Sequence, residues 1–145
     1  MRVIDLENIN NAMRNETQFV LRCEEVYHDK IRAAAASILS TRQERPVVAL
    51  TGPSGSGKTT TALRLEDYLK NLGVKVCVIH MDNFFLPLDR RPPELTDWES
   101  PYCVDVDSLI GCISQLMDGK EVDVPWYDFK NGTTGGYTKM QGYPD

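Results

Sequence analysis

Apolar residues recur along this chain with changing period, and the period predicts the elements. From about Thr17 to Arg42, the residues Phe19, Cys23, Val26, Ile31, Ala34 and Ile38 fall at three- to five-residue steps, which gives a long helix one apolar face. After Pro46, Val47, Val48, Ala49 and Leu50 form an unbroken apolar run, the pattern of a strand buried on both faces in a parallel sheet. Three glycines between Gly52 and Gly57 interrupt it. A helix is expected from about Gly57, with Ala62, Leu65, Leu69 and Leu72 on its buried face and Gly73 at its stop. Val74 to Ile79, apolar and β-branched, reads as a second buried strand. Strand, glycine loop, helix and strand in that order open an α/β domain.

From Met81 to Val104 the period disappears among four prolines and many charges, as in a long loop of functional or disordered character. Asp105 is placed to cap a helix whose apolar positions are Val106, Leu109, Ile110, Ile113, Leu116 and Met117, closed by Gly119. Val122 to Tyr127 reads as a short strand. Asn131 to Asp145, rich in glycine and threonine and without apolar period, reads as loop or disorder. The expected organisation is an N-terminal helical extension over 1–44, a core over 45–130 and a flexible tail over 131–145.

Composition narrows the partners. A chain of 145 residues is one domain by length, with enough residues for a core. The net charge is −5 and no basic run exceeds two residues, which argues against a nucleic-acid or membrane surface as the main partner. Cys23, Cys77, Cys103 and Cys112 include no Cys-x-x-Cys pair, and the polar N-terminus does not read as a secretory leader; the cysteines are expected to be reduced thiols in a cytoplasmic protein. No apolar run approaches the length of a membrane span.

The strongest chemical signal is Gly52-Pro53-Ser54-Gly55-Ser56-Gly57-Lys58-Thr59, a full Walker A pattern between the first strand and its helix. A phosphate chain is held by backbone N–H groups that wrap it closely, and glycines permit that backbone path. The helix N-terminus adds partial positive charge. Lys58 supplies a full charge to the terminal phosphates, and the Thr59 hydroxyl ligates magnesium. Gly52, Ser54, Gly55, Ser56, Gly57, Lys58, Thr59 and Thr60 are therefore expected to bind ATP with Mg2+.

Asp82 follows the second strand. Parallel strands end on one edge of their sheet, the edge that carries the phosphate loop, so Asp82 is expected to face the triphosphate, to bind magnesium or to accept the proton of an attacking hydroxyl. The bland alternative is a solvated loop aspartate. His80 reads as a packed strand-end residue and His28 as structural or solvated.

Further motifs in order give a resemblance. Met81-Asp82-Asn83-Phe84-Phe85 is similar to the Asp-x-Phe-Tyr segment of the uridine kinase and phosphoribulokinase family of P-loop kinases. Asp97-Trp98-Glu99-Ser100-Pro101 with Asp105 resembles the family's Asn-Phe-Asp-His-Pro segment and the aspartate that opens the next helix, and Pro125-Trp126-Tyr127-Asp128-Phe129 resembles its Pro-x-Tyr-Asp-Phe. The resemblance covers about Pro46 to Phe129. It implies a P-loop NTPase-type three-layer αβα fold with a parallel sheet, incomplete at its C-terminal end, because the family's next strand and arginine-rich lid have no counterpart here; the chain reads as a truncated product or a fragment. It also implies roles. Asp82 is the catalytic base, Phe85 lies at the acceptor site, Trp98 stacks on the acceptor, Glu99 binds its hydroxyls, and Tyr127 and Phe129 line a base pocket. Core packing is the plainer use of the three aromatics Trp98, Tyr127 and Phe129. The chain departs from the family's nucleoside kinases at Gly132, where they carry a histidine, and at Trp98 and Glu99, which replace phenylalanine and aspartate.

The expectation is an ATP-dependent kinase that phosphorylates a hydroxyl of a uridine-like nucleoside or related small metabolite, with a non-catalytic ATP-binding module as the alternative. A nucleotide-hydrolysing switch has less support, since no Asn-Lys-x-Asp guanine-reading motif is present. The expected partner is a small molecule rather than nucleic acid or membrane, and the reading leaves a homo-oligomer open.

Overall fold

The computed structural model describes residues 5–98 and 100–144. It divides into two compact units, Met1–Leu72 and Gly73–Asp145, with a boundary inside the expected 45–130 core.

The first unit is helical. Helix α1 (Leu6–Ala12) starts where the Asp5 carboxylate accepts the Glu7 N–H at 3.0 Å. Helix α2 (Glu16–Thr41) starts where the Asn15 side chain accepts the Gln18 N–H at 3.2 Å, within a residue of the expected range. Helix α3 (Lys58–Asn71) packs against α2. The Tyr27 and Thr61 hydroxyls lie 3.0 Å apart, and the Arg64 guanidinium stands over the Tyr27 ring while reaching Glu24 at 3.2 Å. Ile31 and Ala35 of α2 and Leu69 of α3 are buried.

Between α2 and α3 the structure corrects an expectation. Residues 47–50 form no strand, and Val47, Val48 and Leu50 are about half exposed. An apolar run becomes a strand only where neighbouring backbone takes up its N–H and C=O groups. Among the described residues of this unit no strand is present to do so. Residues 74–79, in the second unit, likewise lie outside any ladder, although they are mostly half-buried. The expected parallel sheet is therefore absent among the described residues, whose one sheet is an antiparallel pair.

That pair is β1 (Glu121–Asp128) and β2 (Thr133–Gln141), in register from Glu121 opposite Gln141 to Asp128 opposite Thr133. The second strand overturns the reading of 131–145 as loop or flexible tail. Its glycines are packing residues: a Cβ on Gly135 would come within 2.2 Å of the Trp126 indole, so the strand passes the ring only without a side chain there. A bulge falls at the same place, since Trp126 pairs with Gly136 but Tyr127 with Thr134.

Helix α4 (Val106–Met117) lies against β1. Asp105 caps it as expected, accepting the Ser108 N–H at 3.0 Å. It ends in a left-handed Gly119 (φ +74°), with the Gly119 N–H bonded to the Leu116 carbonyl and the Lys120 N–H to the Gln115 carbonyl, both at 3.0 Å. The core of this unit is Phe84, Val104, Cys112, Leu116, Val122 and Val124, with Ile79, Phe85, Leu109 and Met140 packed against it. Of the six apolar positions expected on the inner face of α4, Val106, Ile110 and Met117 are exposed, and Cys112 is buried with Leu116. Burial pushes the Cys112 thiol up, and the nearby Cys77 adds to this. All four cysteines are free thiols. Among the described residues no helix is long and apolar enough to cross a membrane.

The long irregular stretch is closed at its neck. Phe85 bridges Val104; the Leu86 N–H reaches the Cys103 carbonyl at 2.7 Å and the Asp105 N–H the Phe84 carbonyl at 2.8 Å. Short 3-10 turns at Leu88–Arg90 and Pro101–Cys103 shape the loop that leaves this neck.

Candidate functional site

The phosphate loop lies in the first unit. Gly55 (φ +73°) and Gly57 (φ +83°) adopt left-handed backbone that a side chain would strain, as a loop wrapping a phosphate requires. A Cβ on Gly52 would come within 2.8 Å of the Ser56 hydroxyl, which would have to turn aside. The Ser56 N–H turns back to the Pro53 carbonyl at 3.2 Å. Gly57 opens α3 without a side-chain cap, so the capping residue itself leaves the first-turn N–H groups to a ligand or water. The Lys58 ammonium folds over the loop and donates to the Gly52 and Pro53 carbonyls at 2.7 and 2.9 Å. Thr59 and Thr60 occupy the first turn of α3, and Ser54 lies exposed on the loop.

These residues fit a magnesium-bound triphosphate. The glycine backbone gives room, the helix start gives N–H donors, Lys58 gives a charge, and Thr59 gives a hydroxyl ligand. Among the described residues no cluster of three His, Cys, Asp or Glu is poised to hold a metal ion. Magnesium at phosphates needs none, because phosphate oxygens and water fill most of its coordination sphere.

The other predicted site residues lie in the second unit. Asp82 is exposed on the 3-10 turn Met81–Phe84, which begins after extended backbone at His80. Phe84, at the end of that turn, is buried in the core and anchors it. Glu99 lies outside the described residues.

Phe85, Trp98, Tyr127 and Phe129 come together in one aromatic cluster. Phe85 meets Trp98, Tyr127 and Phe129 edge-on, with ring centroids 5.8, 5.7 and 5.9 Å away, and Tyr127 and Phe129 are 5.0 Å apart. The plain core-packing reading holds for Tyr127, which is 5% exposed. It does not hold for Trp98 and Phe129, at 41% and 57%, which form an open aromatic rim over a packed base.

Arg91 was not expected to join this cluster. It is 8% exposed, and its guanidinium carbon stands 4.0 Å from the Trp98 ring centre, with Phe85 and Tyr127 at 5.2 and 5.8 Å. Its Nε donates to the Leu86 carbonyl at 2.8 Å and its Nη2 to the Tyr127 hydroxyl at 3.2 Å. The available signal was a basic residue beside two prolines in a loop that also carries Trp98. Gly132, at which the chain departs from the resemblance, has φ +64°, and a Cβ there would come within 2.3 Å of Leu88. A histidine at that position would take left-handed backbone and displace the Leu88 side chain.

Electrostatics sharpen the hairpin turn. The Asp128 carboxylate accepts from the Asn131 side chain at 2.6 Å and from the Lys130 and Asn131 N–H groups. The Asn131 side-chain bond is the largest cause holding its carboxyl below the usual aspartate range, with backbone bonds behind it.

Residues 47–142 match the Phosphoribulokinase / Uridine kinase family. The uridine kinase of Brevibacillus brevis is 36% identical over 87 residues, covering 58% of this chain and 40% of that protein. The uridine kinase of Macrococcus caseolyticus is 35% identical over 91 residues, covering 60% and 43%. The inorganic pyrophosphatase TTM2 of Arabidopsis thaliana is 32% identical over 113 residues, which is 76% of this chain and 15% of that protein. The chain thus spans less than half the length of each of these relatives.

Proposed function

Because this chain belongs to the phosphoribulokinase / uridine kinase family, we propose that it transfers a phosphoryl group from ATP to a hydroxyl of a nucleoside or related small metabolite. The observation that carries this reading is the aromatic cluster: Phe85, Trp98, Tyr127 and Phe129, spread over 45 positions of sequence, share one site in a chain that also holds a complete phosphate loop. Two exposed rings over a packed base suit a flat ring such as a nucleobase.

In this reading each residue has a chemical task. Magnesium, when bound with ATP, neutralises phosphate charge and orients the phosphoryl oxygens. The amides from Ser54 to Gly57 hold the phosphates, and Lys58 offsets the charge on the terminal oxygens. Thr59 offers its hydroxyl to the metal. Asp82 orients the acceptor hydroxyl and takes its proton. Trp98 and Phe129 fix the acceptor ring, which brings the hydroxyl into line and lowers the entropic part of the barrier. Glu99 is assigned the acceptor's other hydroxyls by its motif position alone.

The test is ADP release from Mg-ATP with and without a panel of hydroxyl acceptors that includes uridine. Acceptor-dependent release supports the kinase. Saturable ATP binding without turnover supports an ATP-binding module, and acceptor-independent hydrolysis supports a switch. Asp82→Asn is expected to lower transfer at least about a hundredfold with ATP affinity nearly unchanged. Full transfer by that variant would refute the base assignment.

A further inference from the structure

Arg91 sits inside the aromatic cluster, and its charge has consequences for what the cluster accepts. Guanidinium and ring faces attract because the cation meets the negative face of the aromatic quadrupole. Arg91 makes that contact with Trp98, Phe85 and Tyr127 together. It is held there by the Leu86 carbonyl and the Tyr127 hydroxyl, and among the described residues no carboxylate forms an ion pair with it. The aromatic box therefore already contains its cation, and that cation is 8% exposed.

We propose that Arg91 is a positioning and specificity residue that makes this aromatic site select neutral planar acceptors and reject cationic ones. The inference rests on the reading of the cluster as the acceptor site and adds the charge class of the acceptor. Two effects act in one direction. A second cation entering the box meets a fixed positive charge where screening by water is weak. It also finds the ring faces nearest the centre of the box occupied by the guanidinium. A neutral ring lacks the repulsion and still gains stacking area on Trp98 and Phe129, the exposed rim. Without Arg91 the same rings would form an ordinary aromatic cage, which favours cations.

The pair 3-methyluridine and 3-methylcytidine tests this, because the two have nearly the same shape while the second is cationic at neutral pH. Their binding to the full chain is measured by calorimetry. The wild-type chain is expected to bind the neutral nucleoside at least about tenfold tighter, and Arg91→Met to lose or reverse that preference. A merely structural role for Arg91 would weaken both ligands alike and leave their ratio unchanged, which overturns the proposal. So would a wild-type preference for the cation. Where Arg91→Met loses its near-ultraviolet circular dichroism, Arg91→Gln, which keeps a planar donor without charge, is read by the same criterion. Binding of neither nucleoside by the wild-type chain overturns the inference together with the nucleoside reading. Arg91-dependent neutral selectivity without phosphoryl transfer sustains the inference and sinks the kinase.

Discussion

Glycines in this chain serve distinct steric ends, and substitution separates them. At Gly142 an added Cβ would meet the Leu116 carbonyl oxygen at 2.1 Å, a backbone atom at the end of α4 that cannot move aside. At Gly132 the obstacle is the exposed Leu88 side chain, which can rotate, so the strain of a left-handed residue dominates. Gly142→Ala is therefore expected to destabilise by about 2 kcal/mol or more, and Gly132→Ala by about 1 kcal/mol, in chemical denaturation. The reverse order would mean that the β2–α4 junction is looser than described. The phosphate loop was legible in the sequence because its constraints are local: six residues set the backbone path, and Lys58 and Thr59 follow in the next turn. Arg91 was not legible, because its place depends on three rings brought from Phe85, Trp98 and Tyr127, and no local pattern encodes that meeting.

Helix ends and the hairpin turn carry the element-scale information. The starts and stops of α2, α3 and α4 could be read in advance, since Asp105 and Gly119 act through bonds to neighbours within a turn. Strand β2 could not, because Gly135 and Gly136 signal a loop unless the Trp126 ring across the ladder is known. The run 47–50 departs from its pattern for the converse reason: its apolar pattern is strand-like, but a strand requires hydrogen-bonding partners that a pattern does not supply. The turn between β1 and β2 makes a pH prediction. The Asp128 carboxyl is lowered in the folded chain, so its contribution to stability is full above the unfolded value and is lost as pH falls through the folded one. A carbon-13 NMR titration should place the Asp128 midpoint below the ordinary value of about 3.9, and Asn131→Ala should raise it. A midpoint at or above that value would contradict the cap. The contact between α2 and α3 makes another prediction. Tyr27→Phe removes the hydroxyl that meets Thr61 but keeps the ring under Arg64, and should destabilise the first unit by about 1 kcal/mol in thermal unfolding. No measurable change would show that this bond exchanges freely with water.

At the scale of the whole chain, the phosphate loop belongs to one compact unit and the aromatic site with Asp82 to the other. Family membership places a P-loop kinase pattern across both, from residue 47 to 142. The kinase reading therefore depends first on whether the loop in Met1–Leu72 takes up a triphosphate at all, since a neutral-selective aromatic site alone transfers nothing. Calorimetric titration of the full chain with Mg-ATP measures this most directly. Saturable one-to-one binding is expected, weakened at least about tenfold by Lys58→Ala, which removes the charge lying over the loop. Absence of saturable binding in a chain with intact helical circular dichroism, or equal affinity in Lys58→Ala, would contradict the account.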